Sequence, residues 1–253
     1  PQFARTNFSS WFRKRTQPAR GPRGDVIYFN DTFTEYMPPE VGRAAISVLE
    51  ALGYNVTVES QRGCCGRPLI SKGQLSKARD WAHLNVDVLA PYAEHGTLIV
   101  GTEPSCLLTL RDEYPELVRT EASRSVASQA LMLDELLVQL ASDEPDTVAT
   151  VFSRSEKMQI QVHGHCHQKA LIGTTPTIGA LKLAGYRPEL IDSACCGMAG
   201  TFGFEKEHYD TSKAMGSLKL FPAIEAEDKR NWPVAVSGIS CRQQIGHFTA
   251  KTP

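Results

Sequence analysis

Gln61-Arg62-Gly63-Cys64-Cys65-Gly66-Arg67-Pro68 places two adjacent thiols before a glycine, and the same Cys-Cys-Gly order returns at Cys195-Cys196-Gly197. Neighbouring Cα atoms lie about 3.8 Å apart across a trans peptide, whereas disulfides favour roughly 4.4–6.8 Å. The members of each pair are therefore poorly placed to bond to one another, and metal ligation suits them better. The bland alternative is two coincidental pairs of buried, apolar cysteines.

Working outward, each pair follows a short run that reads as a strand: Val56-Thr57-Val58 before Cys64, and Glu189-Leu190-Ile191-Asp192 before Cys195. Asp25-Val26-Ile27-Tyr28-Phe29 is an earlier apolar run suited to a buried strand. Apolar residues at Val41, Ala44, Ala45, Val48, Leu49 and Leu52 then have helical spacing, stopped by Gly53. Ser71 is placed to cap a helix towards Tyr92, and Thr97-Leu98-Ile99-Val100-Gly101 reads as a third strand. Pro104 suits the first residue of the next helix, which puts Cys106 near a helix N-terminus. Val126, Ala130, Leu133, Leu137 and Leu140 predict one amphipathic helix over Ser123 to Leu140.

The alternation resumes with a strand at Met158-Gln159-Ile160-Gln161-Val162, which runs into His163-Gly164-His165-Cys166-His167. A helix through Ile178, Leu181 and Leu183, a helix near His208 to Leu218, a strand at Val234-Ala235-Val236 and a helical segment beginning at Cys241 complete the chain. Cys195 follows Cys64 by 131 positions (195 − 64), and Cys241 follows Cys106 by 135 (241 − 106). The near-equal offsets predict two pseudo-repeated halves. The same offset from Cys166 lands near Thr32, where a thiol is absent. The expected fold is α/β, each half having a mainly parallel sheet with cysteine-bearing loops at the carboxyl ends of its strands, the edge where ligands bind in such sheets. Helix N-termini at that edge favour the thiolate, the form that binds metal.

The expected divisions are a linker or arm at 1–24, a first half at 25–141, a connection at 142–157 and a second half at 158–253. The arm carries Arg5, Arg13, Lys14, Arg15, Arg20 and Arg23, with Phe3, Phe8, Trp11 and Phe12 interleaved as a strip able to pack on a neighbouring domain. A packed linker is the favoured reading over a basic arm for nucleic acid. The 253 residues are 42% hydrophobic and 22% charged with net charge −1, an ordinary globular composition that calls for neither nucleic acid nor an anionic membrane. Seven cysteines are too few for a disulfide scaffold at this length. With no signal peptide and no transmembrane run, the expected compartment is the cytoplasm, with peripheral attachment to the inner face of the membrane as an option.

Cys166, Cys195, Cys196 and Cys241 give the second half four thiols on three loops, enough to hold an iron–sulfur cluster or a zinc ion. Structural zinc sites usually take Cys-x-x-Cys knuckles, so the spacing tilts towards iron and sulfide. His163, His165 and His167 crowd the same loop as extra ligands, proton donors or solvated histidines, and His165, next to Cys166, leans towards supporting a ligand from behind. The first half offers Cys64, Cys65 and Cys106, with Glu103 three residues before the last. These could hold zinc, a cluster with one labile corner or a substrate, or be remnants of a site. Arg67, Arg111 and Arg242 lie close to thiols in sequence and could attract a carboxylate or simply form surface ion pairs.

These motifs resemble the cysteine-rich CCG domain family, found in the B subunit of heterodisulfide reductase, the iron–sulfur subunit of glycolate oxidase, and related lactate-utilisation and anaerobic glycerol-3-phosphate dehydrogenase subunits. The resemblance runs from about Val26 to His247 and implies two Rossmann-like halves with iron–sulfur ligation. The family repeat is a lone Cys, then Cys-Cys-Gly, then Cys-x-x-Cys. The second half departs from it at Gly238, and the first at Thr32 and Glu103. A five-cysteine non-cubane cluster would therefore lack a ligand in either half, and an ordinary 4Fe-4S site remains only at Cys166, Cys195, Cys196 and Cys241. Cys64 to Ser71, Glu103-Pro104-Ser105-Cys106, His163 to Leu171 and Cys195 to Gly200 are most similar to the C-terminal part of FAD-linked, iron–sulfur 2-hydroxyacid (D-lactate-type) dehydrogenases.

The resemblance thus implies an electron-transfer module of such an oxidoreductase. Its partners would be a flavin domain, with FAD on a part outside this chain, and a ferredoxin-type segment, with an unassigned electron acceptor. The alternatives are a zinc-binding or structural docking domain of the same enzyme, and a thiol–disulfide reductase acting at Cys64-Cys65. Residues 1–24 look like the stretch that joins the ferredoxin segment to this module, so the chain is expected to be a portion of a longer enzyme.

Overall fold

A computed structural model of the chain describes residues 3–152 and 158–253. The part of the expected connection at 153–157, and residues 1–2 of the expected arm, lie outside the described residues. The chain divides into two compact units, Pro1–Leu136 and Leu137–Pro253.

In the first unit, β1 (Gly24–Tyr28), β2 (Tyr54–Thr57), β3 (Leu98–Gly101) and β4 (Ala130–Met132) form a wholly parallel sheet in the order β2-β1-β3-β4. Val26 pairs with Val56 on one side and Leu98 on the other. Val26, Ile27 and Tyr28 are all buried, which is why the central strand reads as an unbroken apolar run: helices cover both faces of a parallel sheet. Helix Pro39–Ala51 contributes Ala45, Ile46 and Leu49 to the core, with Pro39 at its first turn where a missing N–H costs nothing. Parallel pairing puts the carboxyl ends of all four strands on one edge. The segments leaving β1, β2 and β3 there carry Thr32 at a helix start, Cys64-Cys65 in a loop and Cys106 in the first turn of helix Pro104–Arg111.

Two helical expectations change. The stretch Ser123 to Leu140 is helix Glu121–Gln129, then β4, then helix Leu133–Asp143. Ala130 and Met132 sit buried beside β3, whose edge supplies backbone hydrogen bonds that a continuous helix would forgo. Ser71 closes a short helix, Arg67–Ser71, rather than capping the next one, which runs Leu75–Ala93; Gly73 turns the chain between them at φ +70°. Near the N-terminus, helix Phe8–Lys14 is capped by Asn7 Oδ1, which accepts from Ser10 N–H at 2.9 Å. Phe8 is fully buried with its ring 5.5 Å from that of Tyr28, so this helix packs on the first unit's own core through Phe8, while Phe3 stays exposed.

In the second unit, β5 (Gln159–His163), β6 (Arg187–Leu190) and β7 (Val234–Val236) form a parallel sheet in the order β6-β5-β7. Its core gathers Ile191, Met198, Leu220, Phe221, Ile224, Val234 and Ile245 around Cys196 and Cys241. Cys166 follows β5, Cys195 and Cys196 follow β6, and Cys241 stands in the first turn of helix Ile239–Phe248 after β7. Each sheet thus presents its thiols at the carboxyl ends of its strands. Among the described residues no helix is long and apolar enough to cross a membrane.

Candidate metal centre

The second unit's four thiols form a row in hydrogen-bonding contact. Cys166 meets Cys195, Cys195 meets Cys196, and Cys196 meets Cys241. The row runs from an exposed Cys166 through a half-buried Cys195 to the buried Cys196 and Cys241. Hydrogen bonds from Cys166 and Cys196, helped by the backbone of Gly197 and Ala199, hold Cys195 far below the ordinary thiol range against the opposing effect of burial. Contact with Cys196, and then the nearby rings of His163 and His165, hold Cys241 down in the same way. Cys166 and Cys196 are pushed up, first by donating to those thiolates and then by burial. A metal binds the thiolate form, so loading the row would displace the thiol protons.

Local backbone chemistry fixes the row. Gly197 has φ +101°, and its N–H points to Cys195 Sγ at 3.3 Å. A Cβ on Gly197 would lie 2.1 Å from the Ser212 carbonyl oxygen, so glycine alone lets the Cys-Cys-Gly turn press against helix Tyr209–Leu218. His165 caps the short helix Cys166–Leu171, its Nδ1 accepting from His167 N–H at 3.2 Å. The His165 ring also fills the space beside Gly238, where a Cβ would come within 2.3 Å of its Cδ2. His163 ends β5 and is buried, and a ring nitrogen lies with Cys196 Sγ and Cys241 Sγ inside a mutual 4.8 Å. Its Nδ1 is 2.8 Å from Ser193 Oγ, while Nε2 is buried and makes no hydrogen bond of ordinary geometry. Lys169 Nζ donates to the carbonyls of Ser193 and Ala194, the latter at 2.6 Å, and anchors the loop leading to the Cys pair. Neither His165 nor His167 belongs to the close group that His163 makes with the two sulfurs. The second unit thus offers four sulfurs and the buried Nε2 of His163, a donor set that fits an iron–sulfur group.

The first unit is built differently. Cys64 contacts Cys65, Cys65 contacts Cys106, and Thr32 bonds to Cys64, a hydroxyl taking the place that the offset pointed to. All three thiols are pushed up: Cys64 by its bond to Cys65 and then burial, and Cys65 by its bond to Cys106 and burial. The bond from Cys65 pulls Cys106 down, but burial and the charges of Asp31 and Glu103 raise it to about 11. Glu103 is buried and caps helix Pro104–Arg111, accepting from Ser105 N–H at 3.2 Å and from the Ser105 hydroxyl. Asn85 accepts from Gly63 N–H at 2.8 Å and donates to Cys64 O at 2.9 Å, and Tyr114 Oη donates to Cys65 O at 3.0 Å. Arg67 and Arg111 pair with Glu113 and Glu135.

Sequence reasoning passed over Arg62, which stacks on Phe29 with 4.0 Å to the ring centroid and bonds to Asn30. It also passed over Ser193, Asn85 and Tyr114. Only Arg62's place two residues before Cys64 hinted at its role. A cleft of about 600 Å³ opens beside this loop, with Asp31, Thr32, Glu35, Arg62 and Cys64 among its walls.

The thiol loops of this unit decide the comparison with known families: residues 27–111 match the cysteine-rich domain CCG. That match lies wholly within the first unit. Beyond it, the chain is 32% identical over 227 residues to the C subunit of the anaerobic glycerol-3-phosphate dehydrogenase of Escherichia coli, covering 89% of this chain and 56% of that protein. The D-2-hydroxyglutarate dehydrogenase of Escherichia coli is 28% identical over 87% of this chain but only 21% of its own length. The lactate utilization protein A of an Exiguobacterium species is 27% identical over 70% of this chain and 73% of its own. The chain therefore spans about half the length of the glycerol-3-phosphate dehydrogenase polypeptide it matches. The CCG match spans Cys64, Cys65 and Cys106; the second unit's thiols lie beyond it.

Proposed function

We propose that the chain is an iron–sulfur electron-transfer module of a dehydrogenase assembly, with Cys166, Cys195, Cys196 and Cys241 as the cluster ligands. The contact row of four sulfurs at the carboxyl edge of the second sheet carries this reading. Bound there, a 4Fe-4S cluster would take up and release single electrons. The protein supplies the rest: the Gly197 turn orients two sulfurs, the core around Phe221 and Ile245 excludes water from Cys196 and Cys241, and Cys166 stands at the exposed end where electrons can enter or leave. Relatives named as dehydrogenases of glycerol 3-phosphate and D-2-hydroxyglutarate support a hydroxylated substrate; its oxidation at a flavin outside this chain, with a ferredoxin-type segment between, is what the resemblance of the thiol motifs implies. We place the assembly in the cytoplasm.

Anaerobic purification followed by iron and sulfide analysis and EPR tests the reading. Cys195→Ser and Cys196→Ser should each lose most of the iron, whereas Cys64→Ser/Cys65→Ser should keep it. A colourless, iron-free wild-type protein would sink the proposal. In the first unit, Thr32 in place of a fourth thiol favours a structural or docking role. Stoichiometric zinc bound without sulfide, and lost from Cys64→Ser/Cys65→Ser, would instead assign that unit a zinc site.

A further inference from the structure

We propose that His163 is itself a ligand of the second unit's metal centre, taking the fourth cluster position in place of Cys166, the exposed thiol at the end of the row, and giving a mixed sulfur and nitrogen coordination. The inference rests on the cluster reading above and refines its fourth ligand. The loop after β7 brings one thiol, Cys241, and offers no room for a second three residues earlier, because the His165 ring occupies the space beside Gly238. A nitrogen donor close to both buried sulfurs is instead His163, which shares a 4.8 Å group with Cys196 and Cys241.

Three features make it a ligand rather than packing. His163 is the last residue of the central strand β5, paired with Val236 of β7, so its backbone cannot drift from the sulfurs. Its Nδ1 lies 2.8 Å from Ser193 Oγ. If Nδ1 carries the proton and donates to that hydroxyl, the Nε2 lone pair is left free, the arrangement that orients metal-bound histidines elsewhere. Nε2 is then a buried acceptor that makes no hydrogen bond of ordinary geometry although the ring faces the Cys241 sulfur, and a metal ion would satisfy it. Lys169, bonded to the Ser193 and Ala194 carbonyls, braces the strut from behind. Replacing a thiolate by a neutral imidazole leaves less negative charge on the centre, and histidine ligation raises cluster potentials.

The test uses the full chain prepared anaerobically, with and without histidine carrying the heavy nitrogen isotope. Pulsed EPR of the reduced protein should show a strongly coupled nitrogen whose signal changes with the label. That signal should survive His165→Ala and His167→Ala and vanish in His163→Ala, and His163→Cys should lower the midpoint potential. A wild-type protein with iron and sulfide but no label-sensitive nitrogen would overturn the inference and leave the cluster reading standing. So would a coupling that persists in His163→Ala. A wild-type protein without iron and sulfide would overturn both. If His163→Ala cannot hold iron at all, the labelled wild type and the two neighbouring variants still decide the matter.

Discussion

At the scale of single residues, the two glycines of the second thiol loop separate conformational strain from crowding. Gly197 and Gly200 both have positive φ, +101° and +70°, but a Cβ at Gly197 would meet the Ser212 carbonyl at 2.1 Å whereas nothing lies within 4 Å of one at Gly200. Gly200→Ala should cost about 1 kcal/mol from backbone strain alone. Gly197→Ala adds overpacking against backbone and should cost about 2–4 kcal/mol. Urea denaturation measures the difference, and equal losses would show that the turn can relax. The site was only partly legible at this scale. Adjacent thiols declare themselves in the sequence, so Cys195 and Cys196 could be paired with Cys241 by counting. The role of His163 could not, because two neighbouring loop histidines look equivalent until the strand end, the Ser193 contact and the burial of Nε2 separate them.

Among the elements, helix Phe8–Lys14 makes the clearest demand on packing. Phe8 is fully buried against Tyr28, and Gly42 is side-chain-free where a Cβ would come within 2.7 Å of the Phe8 ring. Phe8→Ala should destabilise the first unit by about 3–5 kcal/mol while leaving iron content unchanged; a thermal melt and an iron assay on the same sample check both halves of that statement. Strands with unbroken apolar runs, such as Val26 to Tyr28, were readable because helices bury both faces. Strand β4 was not. Its flanking apolar residues recur every three or four positions, and a strand of three residues is too short to interrupt that rhythm. The edge of β3 selects the extended form, and no local signal records a distant edge.

For the whole molecule, two units with unlike thiol chemistry predict an unequal response to metal. Binding to the native state alone stabilises by about 2.7 kcal/mol at a hundredfold excess over Kd, roughly a hundredfold slowing of exchange that requires unfolding. Iron–sulfur loading should therefore protect the amides of β5 and of helix Ile239–Phe248 by that order and leave β1 unchanged, as read by hydrogen exchange and mass spectrometry. Protection of β1 as well would place a second metal at Cys64, Cys65 and Cys106. The internal duplication remains our proposal: the strand orders correspond in their first three members, with the first strand central in each sheet, and β4 is an addition. The ring of His165 against Gly238 carries a consequence for how such a sequence can change over time. A thiol at position 238 would collide with that ring, so the substitution is harmful while His165 stands and becomes acceptable only after residue 165 has shrunk. The order of the two steps is constrained: a Cys-x-x-Cys pair at 238 and 241 requires the residue 165 side chain to give way first.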